Sequence, residues 1–470
     1  MRRFDADVVV IGGGIAGLVS ALGAAQHGLA VVVLEQGAED QYLCNSRLTG
    51  GVFHCALRPP DLPAADLEQI IVRNRGADVN RALAAAIARD ALPAIRWLQA
   101  LGVRFIRGSG DAWHNFVLAP PSLGRTGEGW RGRGGDTLLR GLEAHLNAHG
   151  SQIRRAHRAT TLLVEGDYVV GVQGNGFAIR APVVVIADGG FQANADLVRS
   201  AISPNPNHIA TRNAGTSFGD GLRMAREVGA ALAPDQSKFY GHVVSRDALT
   251  NPKLRFYPWL DELARAGVVV TRNGGRFCAE RYGGIHIANA IAALPEPGSA
   301  TVVWDSAIWE GPGRVGFVPA NPNLLKLGAT LFRAGAVPEL ARNAGLDETG
   351  LLETVARHNA DLQAEASVSA NSASAIKGPR LILTAPFWAA PAAAGITYTM
   401  GGLAVDGDSR VMSESGSAIG GLYAVGGSSG GVEGGSKSAY VGGLVKAAAT
   451  GWRAARHIVG AVRTNESGAA

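Results

Sequence analysis

Three closely spaced glycines followed by an acidic residue form a pattern that binds dinucleotides. The glycines are Gly12, Gly14 and Gly17, and the acid is Glu35. In such a pattern the first glycine permits a tight turn, the second lets the backbone approach a pyrophosphate, and the third lets a helix pack on a strand. The carboxylate then binds both ribose hydroxyls, so these residues predict a dinucleotide cofactor.

The elements that must position this turn form a βαβ unit. A β-branched strand is predicted at 7–11, a helix rich in alanine and leucine runs on to about His27, and a second strand at 30–34 ends in Glu35. Continuous apolar runs of this kind are typical of parallel strands that are buried on both faces. The N-terminus of the helix offers free N–H groups and a partial positive charge to the phosphates.

The cofactor is predicted to be FAD rather than NAD. Only one such fingerprint is found in the sequence, and glycine clusters hundreds of residues downstream would close around a flavin, which a nicotinamide site does not need. The residues predicted to contact the cofactor are Gly12, Gly14, Ile15, Ala16, Gly17, Glu35, Gln36, Asn45, Ser46, Thr49, Gly50, Gly51, Ala187, Asp188, Gly189, Asp220, Gly426, Gly427, Gly443 and Leu444.

The chain changes character twice along its length. Apolar residues at helical spacing predict one helical segment over 67–101. From 238 onwards proline, tryptophan and tyrosine become more frequent, and the glycine-rich style returns after 391. We therefore predict an α/β fold, with a discontinuous Rossmann-like FAD-binding domain and an inserted α+β capping (substrate) domain. The predicted boundaries are 1–237 and 391–470 for the FAD-binding domain and 238–390 for the capping domain.

The composition describes a globular protein with a large buried interior. Of 470 residues 47% are hydrophobic and 18% are charged, and the net charge of +5 suits an anionic cofactor or substrate. No Lys/Arg run marks a nucleic-acid partner, and no apolar run approaches the ~20 residues of a membrane-spanning helix. The three cysteines have neither disulfide nor metal-site spacing. The predicted location is cytoplasmic, and the predicted partners are a small-molecule substrate and an electron acceptor.

Six motifs together resemble the fumarate reductase/succinate dehydrogenase flavoprotein family, in the branch of the ketosteroid and tricarballylate dehydrogenases. The resemblance covers nearly the whole chain. It is carried by the fingerprint with Glu35, the Asn45-Ser46 loop with Gly50-Gly51, Val183 to Phe191 ("VVLATGGF"), Gly274 to Phe277 with Glu280 ("GxRFxNE"), Thr399 to Gly402 ("TMGG") and Gly421 to Ala424 with Gly426 ("GLYAAGE"). It implies a flavin domain, a capping domain, and hydride exchange between flavin N5 and a substrate carbon.

The departures from the family narrow the expected chemistry. Members with covalent flavin carry a histidine at the position of Asn45, so the FAD is predicted to be non-covalent. Fumarate reductases have a proton-donating arginine at the position of Gly284 and a substrate-binding histidine at the position of Tyr398. Lys437 is the cation nearest to their C-terminal arginine, and Gly427 replaces a glutamate. These differences argue against reduction of a C4-dicarboxylate.

Two tyrosines of the C-terminal part are candidate catalytic groups. Ketosteroid dehydrogenases carry a catalytic tyrosine in a "YxGxG" run, and Tyr440-Val441-Gly442-Gly443 is similar to it with the glycine spacing one residue shorter. Because a tyrosine with a pKa near 10 is a poor base at neutral pH, it needs a cationic neighbour, which Lys437 could supply. Tyr398 stands where relatives contact the substrate.

Three further candidates come from the middle of the chain. Tyr240 and His242 occupy the place of the family's substrate-facing "QxHPT" strand, and Tyr282 precedes Gly284. For each of them a structural role is an open alternative, because a buried histidine often has only a backbone partner.

The function predicted from these residues is that of an FAD-dependent oxidoreductase acting on CH–CH bonds. We expect a dehydrogenase (desaturase) that removes a proton and a hydride from the carbons α and β to a carbonyl or carboxylate of a small or cyclic substrate. One alternative is a flavin-dependent ene reductase of an unsaturated carboxylic acid. The other is a non-catalytic flavin-binding protein. No metal is expected.

Overall fold

The chain forms two compact units, each with its own sheet. The computed structural model describes residues 4–108, 110–122, 124, 127, 129–368 and 378–468. The first unit comprises Met1–Asn194, Asn213–Lys238 and Tyr398–Ala470, and the second comprises Ala195–Arg212 and Phe239–Thr397. The α/β fold with a discontinuous first unit agrees with the prediction from sequence.

Most strands have two to seven residues, and the longest of those described, Phe387–Thr399, has 13. In chain order they are β1 (Val8–Ile11), β2 (Val31–Leu34), β3 (Phe105–Ile106), β4 (Val117–Leu118), β5 (Gln152–Arg154), β6 (Ala159–Glu165), β7 (Tyr168–Gly174), β8 (Phe177–Arg180), β9 (Val183–Ile186), β10 (Ile209–Thr211), β11 (Phe239–Ser245), β12 (Val268–Val270), β13 (Thr301–Asp305), β14 (Phe332–Ala334), β15 (Phe387–Thr399), β16 (Arg410–Met412) and β17 (Ala418–Ala424).

The helices vary widely in length. They are α1 (Ile15–Ala25), α2 (Asn45–Leu48), α3 (Ala64–Arg75), α4 (Arg81–Ala100), α5 (Gly134–Ala148), α6 (Ala195–Ala201), α7 (Asp220–Glu227), α8 (Asp261–Ala266), α9 (Gly284–Ala292), α10 (Ser306–Glu310), α11 (Ala320–Lys326), α12 (Val337–Ala344), α13 (Glu348–Val368) and α14 (Gly443–Gly468).

The main sheet of the first unit has the strand order β5-β2-β1-β9-β17-β7-β6, with β16 beside β17 and β8 beside β7. The pairs from β5 to β17 are parallel, and Val8 of β1 lies opposite both Val31 and Val183. All four residues of β1, β2 and β9 are buried. Burial on both faces explains the continuous apolar runs of these strands. The sheet holds the turn between β1 and α1 at its carboxyl edge.

The helical segment predicted over 67–101 is two helices, which corrects the prediction. The chain leaves α3 at Gly76 with φ +94°, a conformation that favours glycine. Asn80 then caps α4, because its side-chain oxygen accepts a hydrogen bond from Leu83 N at 3.0 Å. Apolar residues continue at helical spacing on both sides of this break, so periodicity alone does not reveal it.

The second unit contains a mixed sheet of order β10-β15-β13-β12, and β11 and β14 also pair with β15. Residues 195–212, assigned to the FAD-binding domain from sequence, belong to this unit because β10 runs parallel to β15, with Ile209 opposite Ala394. Trp304 is fully buried in its core. In the described part of the chain, no helix has the length and apolar composition to cross a membrane.

Candidate active site

The glycine turn after β1 has the geometry that a phosphate-binding turn requires. Gly12 has φ +104°, and a Cβ there would lie 2.6 Å from the Ala187 carbonyl oxygen. A Cβ at Gly17 would overlap the Gly12 carbonyl oxygen, so glycine is what lets α1 pack this closely. Gly14 precedes α1 with no side-chain cap, and the first turn contains no acid. The helix N-terminus therefore presents positive potential to an anion.

Glu35 follows β2 directly and lies beside this turn. Its side chain is 6% exposed, Oε2 accepts a hydrogen bond from Gly13 N at 2.9 Å, and Oε1 accepts one from Gly37 N at 2.8 Å. Burial raises the pKa of Glu35, although these backbone hydrogen bonds act in the opposite direction. Each carboxylate oxygen has two acceptor sites, so the carboxylate has capacity for a ribose hydroxyl besides its backbone donors.

The loop at Asn45–Gly51 returns to the turn, as expected for a cofactor loop. Ser46 Oγ accepts a hydrogen bond from Ile15 N at 3.0 Å, at the first residue of α1. Asn45 Oδ1 accepts one from Ala214 N at 2.8 Å, which fixes the start of α2. Ser46 therefore lies beside the fingerprint, where the phosphates are expected.

Two distant glycine segments also meet at the turn. A Cβ on Gly426 would lie 2.7 Å from the Ala16 Cβ, and one on Gly427 would lie 3.4 Å from the Gly189 Cα. The C-terminal part of the chain therefore packs directly against the fingerprint and against the segment after β9.

Asp188 lies beneath these glycines. It accepts hydrogen bonds from Gly221 N at 2.7 Å and from Ser428 Oγ at 3.0 Å. Desolvation by burial raises the pKa of this carboxyl to about 6. Its oxygens tie the segment after β9 to α7 and to the C-terminal loop, so Asp188 braces the predicted cofactor site.

Two other predicted cofactor residues have protein partners. The Gln36 amide donates to the Thr216 carbonyl oxygen. The Asp220 carboxylate accepts two hydrogen bonds from Arg158, at 2.7 and 3.0 Å. All of the predicted cofactor residues belong to the first unit. Direct contact of Asp220 with the cofactor stays a prediction.

Arg47, which was not among the residues predicted from sequence, follows Ser46 in the predicted cofactor loop. Its side chain is fully buried and pairs with Asp136, which is also fully buried. Its Nε and Nη2 have no hydrogen-bond partner among the described residues, and the guanidinium lies 4.8 Å from the centre of the Tyr42 ring. Buried donors of this kind call for a partner. The glycine turn, Glu35 and these donors together fit a dinucleotide with anionic phosphates such as FAD.

Tyr398 belongs to a buried ionic cluster in the first unit. Its hydroxyl donates to Glu433 Oε1 at 2.8 Å, and Val441 N donates to the same oxygen at 3.0 Å. Lys446 Nζ lies 3.0 Å from Glu433 Oε2, and the two side chains are 1% and 0% exposed. A carboxylate with three donors is well satisfied, so this cluster holds the Tyr398 hydroxyl in one orientation.

Tyr440 lies next to this cluster. Its ring centre is 6.5 Å from that of Tyr398 and 5.2 Å from that of His54. Gly443, the first residue of α14, has its N–H 3.4 Å from the Tyr440 hydroxyl oxygen, and a Cβ on Gly443 would lie 3.2 Å from Tyr398 Cε1. Burial and the neighbouring His114 lower the pKa of His54 to about 3, so His54 is neutral.

The buried cation near Tyr398 and Tyr440 is Lys446. Lys437, the predicted neighbour of Tyr440, is exposed, whereas Lys446 is buried against Glu433. Neither Glu433 nor Lys446 is among the residues predicted from the sequence. The sequence does contain a signal for this pair: a single glutamate in a run of small residues and a single lysine in an apolar helix. Such residues are rarely buried unless they are paired with an opposite charge.

In the second unit, Tyr240 and His242 lie on β11 in a hydrogen-bonded chain. Tyr240 Oη is 3.1 Å from His242 Nε2, and His242 Nδ1 is 2.6 Å from Asp261 Oδ2. The imidazole stacks on Trp259 with ring centres 3.8 Å apart. Burial lowers the pKa of His242 despite the nearby carboxylate, and the guanidinium of Arg212 acts in the same direction as burial. The tyrosine and the histidine were predicted from the sequence, whereas Asp261 was not.

Tyr282 lies on the surface of the second unit. It is 38% exposed, its hydroxyl accepts a hydrogen bond from Arg281 Nη2 at 3.2 Å, and its ring is 5.1 Å from that of His286. Gly284 begins α9, and a Cβ there would overlap the Asp261 carboxyl group. The space next to the Gly284 Cα is therefore filled by Asp261.

Comparison with known proteins identifies the family of the chain. The profile of the family described as the FAD binding domain matches residues 7–439. The 4-oxocyclohexanecarboxylate 2-dehydrogenase of Sinomonas cyclohexanicum is 27% identical and aligns over 100% of this chain and 95% of its own. The fumarate reductase (cytochrome) of Shewanella frigidimarina is 24% identical over 92% of this chain and 73% of its own.

The fold also matches a solved structure. The 3-ketosteroid-Δ4-(5α)-dehydrogenase from Rhodococcus jostii RHA1 superposes with a TM-score of 0.70 at 21% identity, covering 98% of both chains. At this identity the match is evidence for the fold.

Proposed function

The chain belongs to the FAD binding domain family, and from this premise we propose that it is a desaturase of cyclic ketones. It is an FAD-dependent oxidoreductase acting on CH–CH bonds. When bound, oxidised FAD supplies the acceptor for the hydride that leaves the carbon β to the carbonyl. The chain itself must bind the carbonyl, stabilise the enolate and accept the α proton.

The convergence of Tyr440 and Gly443 carries the proposal. Gly443 N donates to the phenol oxygen over 3.4 Å, which is a long hydrogen bond; a carbonyl oxygen that replaced it would accept from both the N–H and the phenol O–H. Gly443 is the first residue of α14, which has 26 residues, so the helix adds positive potential at this point. Donors aimed at an oxygen that gains negative charge are the main means of stabilising an enolate.

Tyr398 has a different role in this proposal. Ionising its hydroxyl would place a negative charge 2.8 Å from Glu433, which like-charge repulsion disfavours. Passing its proton to Glu433 would leave Lys446 as an unpaired buried cation, at a cost of several kcal/mol. Tyr398 therefore stays neutral and positions the Tyr440–Gly443 pair.

A ketone in a six-membered ring is the substrate class that fits best. Two relatives from Sinomonas cyclohexanicum are named as dehydrogenases of 4-oxocyclohexanecarboxylate and of 4-oxocyclohex-2-ene-1-carboxylate, at 27% and 26% identity. The Tyr440–Gly443 pair suits a ketone oxygen. The same proposal includes non-covalent FAD, because Asn45 stands where members with covalent flavin carry the linking histidine.

Anaerobic reduction of the bound flavin tests this function. The purified holoenzyme is mixed with 4-oxocyclohexanecarboxylate, and bleaching of the flavin absorbance is followed. Tyr440→Phe should keep its FAD and lower the rate about 10²–10³-fold, the usual cost of one oxyanion donor. Tyr423→Phe is the matched control, because that hydroxyl contacts His457 at 2.9 Å and not the Tyr440–Gly443 pair.

The same assay separates the alternatives. Unchanged bleaching in Tyr440→Phe would remove the carbonyl-binding role. If the ketone does not bleach the flavin but fumarate reoxidises chemically reduced flavin, an ene reductase is favoured, as the name of the Shewanella fumarate reductase suggests. Flavin that responds to neither compound would leave a flavin-binding protein.

A further inference from the structure

The Cys55–Arg58 turn of the first unit has a backbone conformation that its residue types do not favour. Its two central residues, Ala56 and Leu57, have positive φ angles of 50° and 58°, and neither is a glycine. Turns of this kind normally carry Asn-Gly or a similar pair at these positions. Cys55 and Arg58 close the turn with two hydrogen bonds of 2.9 Å, one in each direction. Such strained residues persist where their surroundings hold them, and they concentrate at active sites and ligand-binding segments.

The surroundings that hold the turn are those of the proposed carbonyl site. Ala56 N donates to the Val441 carbonyl oxygen at 2.6 Å, and Val441 directly follows Tyr440. Leu57 N donates to His54 Nδ1 at 3.3 Å, and the ring of His54 is 5.2 Å from that of Tyr440. All of these residues belong to the first unit. The strained conformation therefore fixes the turn beside Tyr440.

Gly442 shows how closely the two segments pack. A Cβ at this residue would lie 2.3 Å from the His54 carbonyl oxygen and 3.1 Å from His54 Nδ1. A side chain at 442 would therefore separate the turn from the start of α14, where Gly443 offers its N–H to a carbonyl.

The turn presents an apolar side chain next to a cationic one. Leu57 is 43% exposed, whereas Cys55 and Ala56 are buried. Arg58 is also exposed, and its Nη1 donates to the Leu57 carbonyl oxygen at 3.1 Å. Among the described residues Arg58 has no carboxylate partner, so its remaining donors can bind an anion from outside the chain. The planar fork of a guanidinium matches a carboxylate in particular.

We propose that the Cys55–Arg58 turn determines substrate specificity: Arg58 binds the carboxylate of a cyclic keto acid, and Leu57 packs against its ring. The proposal rests on the function proposed above and extends the substrate class from a ketone to a keto acid. In a molecule such as 4-oxocyclohexanecarboxylate the ketone and the carboxylate stand at opposite ends of the ring. A ketone bound at the Tyr440–Gly443 pair therefore needs its cation on a neighbouring segment, which the turn supplies.

Two lysines are the alternative cations in this part of the first unit. Lys446 is 1% exposed and is already paired with Glu433, so it is not available to a substrate. Lys437 is exposed in the short hairpin closed by the hydrogen bonds between Gly434 and Ala439. An ammonium group lacks the planar fork of arginine. Lys437 is the rival that the experiment has to separate from Arg58.

Binding of two aromatic probes tests the turn without turnover. 4-Hydroxybenzoate has an oxygen at one end of its ring and a carboxylate at the other, and phenol lacks the carboxylate. Each is titrated into the oxidised holoenzyme, and the change in flavin absorbance gives the dissociation constant. Arg58→Gln should raise that of 4-hydroxybenzoate at least about tenfold, as loss of a hydrogen bond between charged groups does, and that of phenol much less. Arg140→Gln is the matched control, because Arg140 is exposed on α5 and lies outside the turn.

Anaerobic bleaching compares 4-oxocyclohexanecarboxylate with its uncharged methyl ester. The wild-type enzyme should prefer the acid, and Arg58→Gln should lower this preference at least about tenfold. Leu57→Asn removes the apolar side chain, but asparagine tolerates positive φ. This variant should raise the half-saturation concentration of both compounds without lowering the melting temperature. A lower melting temperature with unchanged half-saturation would make Leu57 a structural residue and overturn its part in the proposal.

The outcomes separate this proposal from the one on which it rests. An unchanged dissociation constant of 4-hydroxybenzoate in Arg58→Gln, or loss of the preference for the acid in Lys437→Gln instead, would overturn the role of the turn. Bleaching by the acid and the ester would still leave the desaturase function standing. If neither compound bleaches the flavin while 4-hydroxybenzoate binds through Arg58, the desaturase function is overturned and the carboxylate site of the turn is retained.

Discussion

Removing the cation of the buried pair should destabilise the protein more than removing the whole pair. Lys446→Met keeps much of the side-chain length but leaves the Glu433 carboxylate, 0% exposed, with only two neutral donors among the described residues, the Tyr398 hydroxyl and Val441 N. Breaking a buried pair from one side costs about 3–5 kcal/mol, because the remaining charge has lost its counter-ion and cannot reach water.

The double variant Glu433→Gln/Lys446→Met should lose less. The glutamine side chain would keep an oxygen that accepts from Tyr398 and Val441, and only its amide hydrogens would lack a partner, at a cost of about 1–3 kcal/mol. Lys437→Met is the control for lysine removal, because Lys437 is exposed and surface changes stay within about 0.5 kcal/mol.

These differences are measured by urea unfolding at saturating FAD. Flavin fluorescence is the signal, because it reports on the first unit. The single variant should unfold at clearly lower urea than the double variant, with similar dependence on urea concentration. Equal losses in the two variants would refute the reasoning, because the missing packing of Lys446 and not the unpaired carboxylate would then be the cause.

Three further outcomes are expected. Acid precipitation should release all of the flavin into the supernatant, because Asn45 stands where linking members carry histidine; colour in the pellet would contradict this. Glu35→Ala should lower FAD occupancy on purification. In the wild-type protein the affinity for FAD should fall on acidification. The fall should begin at a pH above 4.5, the usual pKa of a glutamate, because burial raises the pKa of Glu35. Glu35→Gln should remove this pH dependence, as fluorescence titration with FAD would show. Gly284→Ala should displace the Asp261 carboxyl group and lower the melting temperature with FAD content unchanged, and a wild-type melting temperature in that variant would count against the close packing.

The cofactor turn could be predicted because its determinants are local. The positions of Gly12, Gly14 and Gly17 in one short segment specify the turn, and Glu35 ends the next strand. The apolar runs of β1 and β9 are equally readable, since burial on both faces leaves no polar position. Properties that follow from a few adjacent residues are visible in sequence.

The charged clusters could not be predicted in the same way. Glu433 and Lys446 meet because a loop folds back on the start of α14, and Asp261 reaches His242 from α8. The local spacing of the residues does not predict these pairs. Lys437 is close to Tyr440 in sequence and Lys446 is not, but proximity along the chain does not determine which cation is buried.

The place of β17 has a consequence for how the protein is made. This strand lies between β9 and β7, yet it is synthesised after the entire second unit. Until residues 418–424 leave the ribosome, β9 lacks its neighbour on one side, and a bare strand edge is a template for pairing with other chains. Domains that form early on the ribosome are ordinarily complete before the next begins. Here the cofactor-binding sheet is finished last, so premature termination within the second unit should yield an aggregating fragment and no flavoprotein.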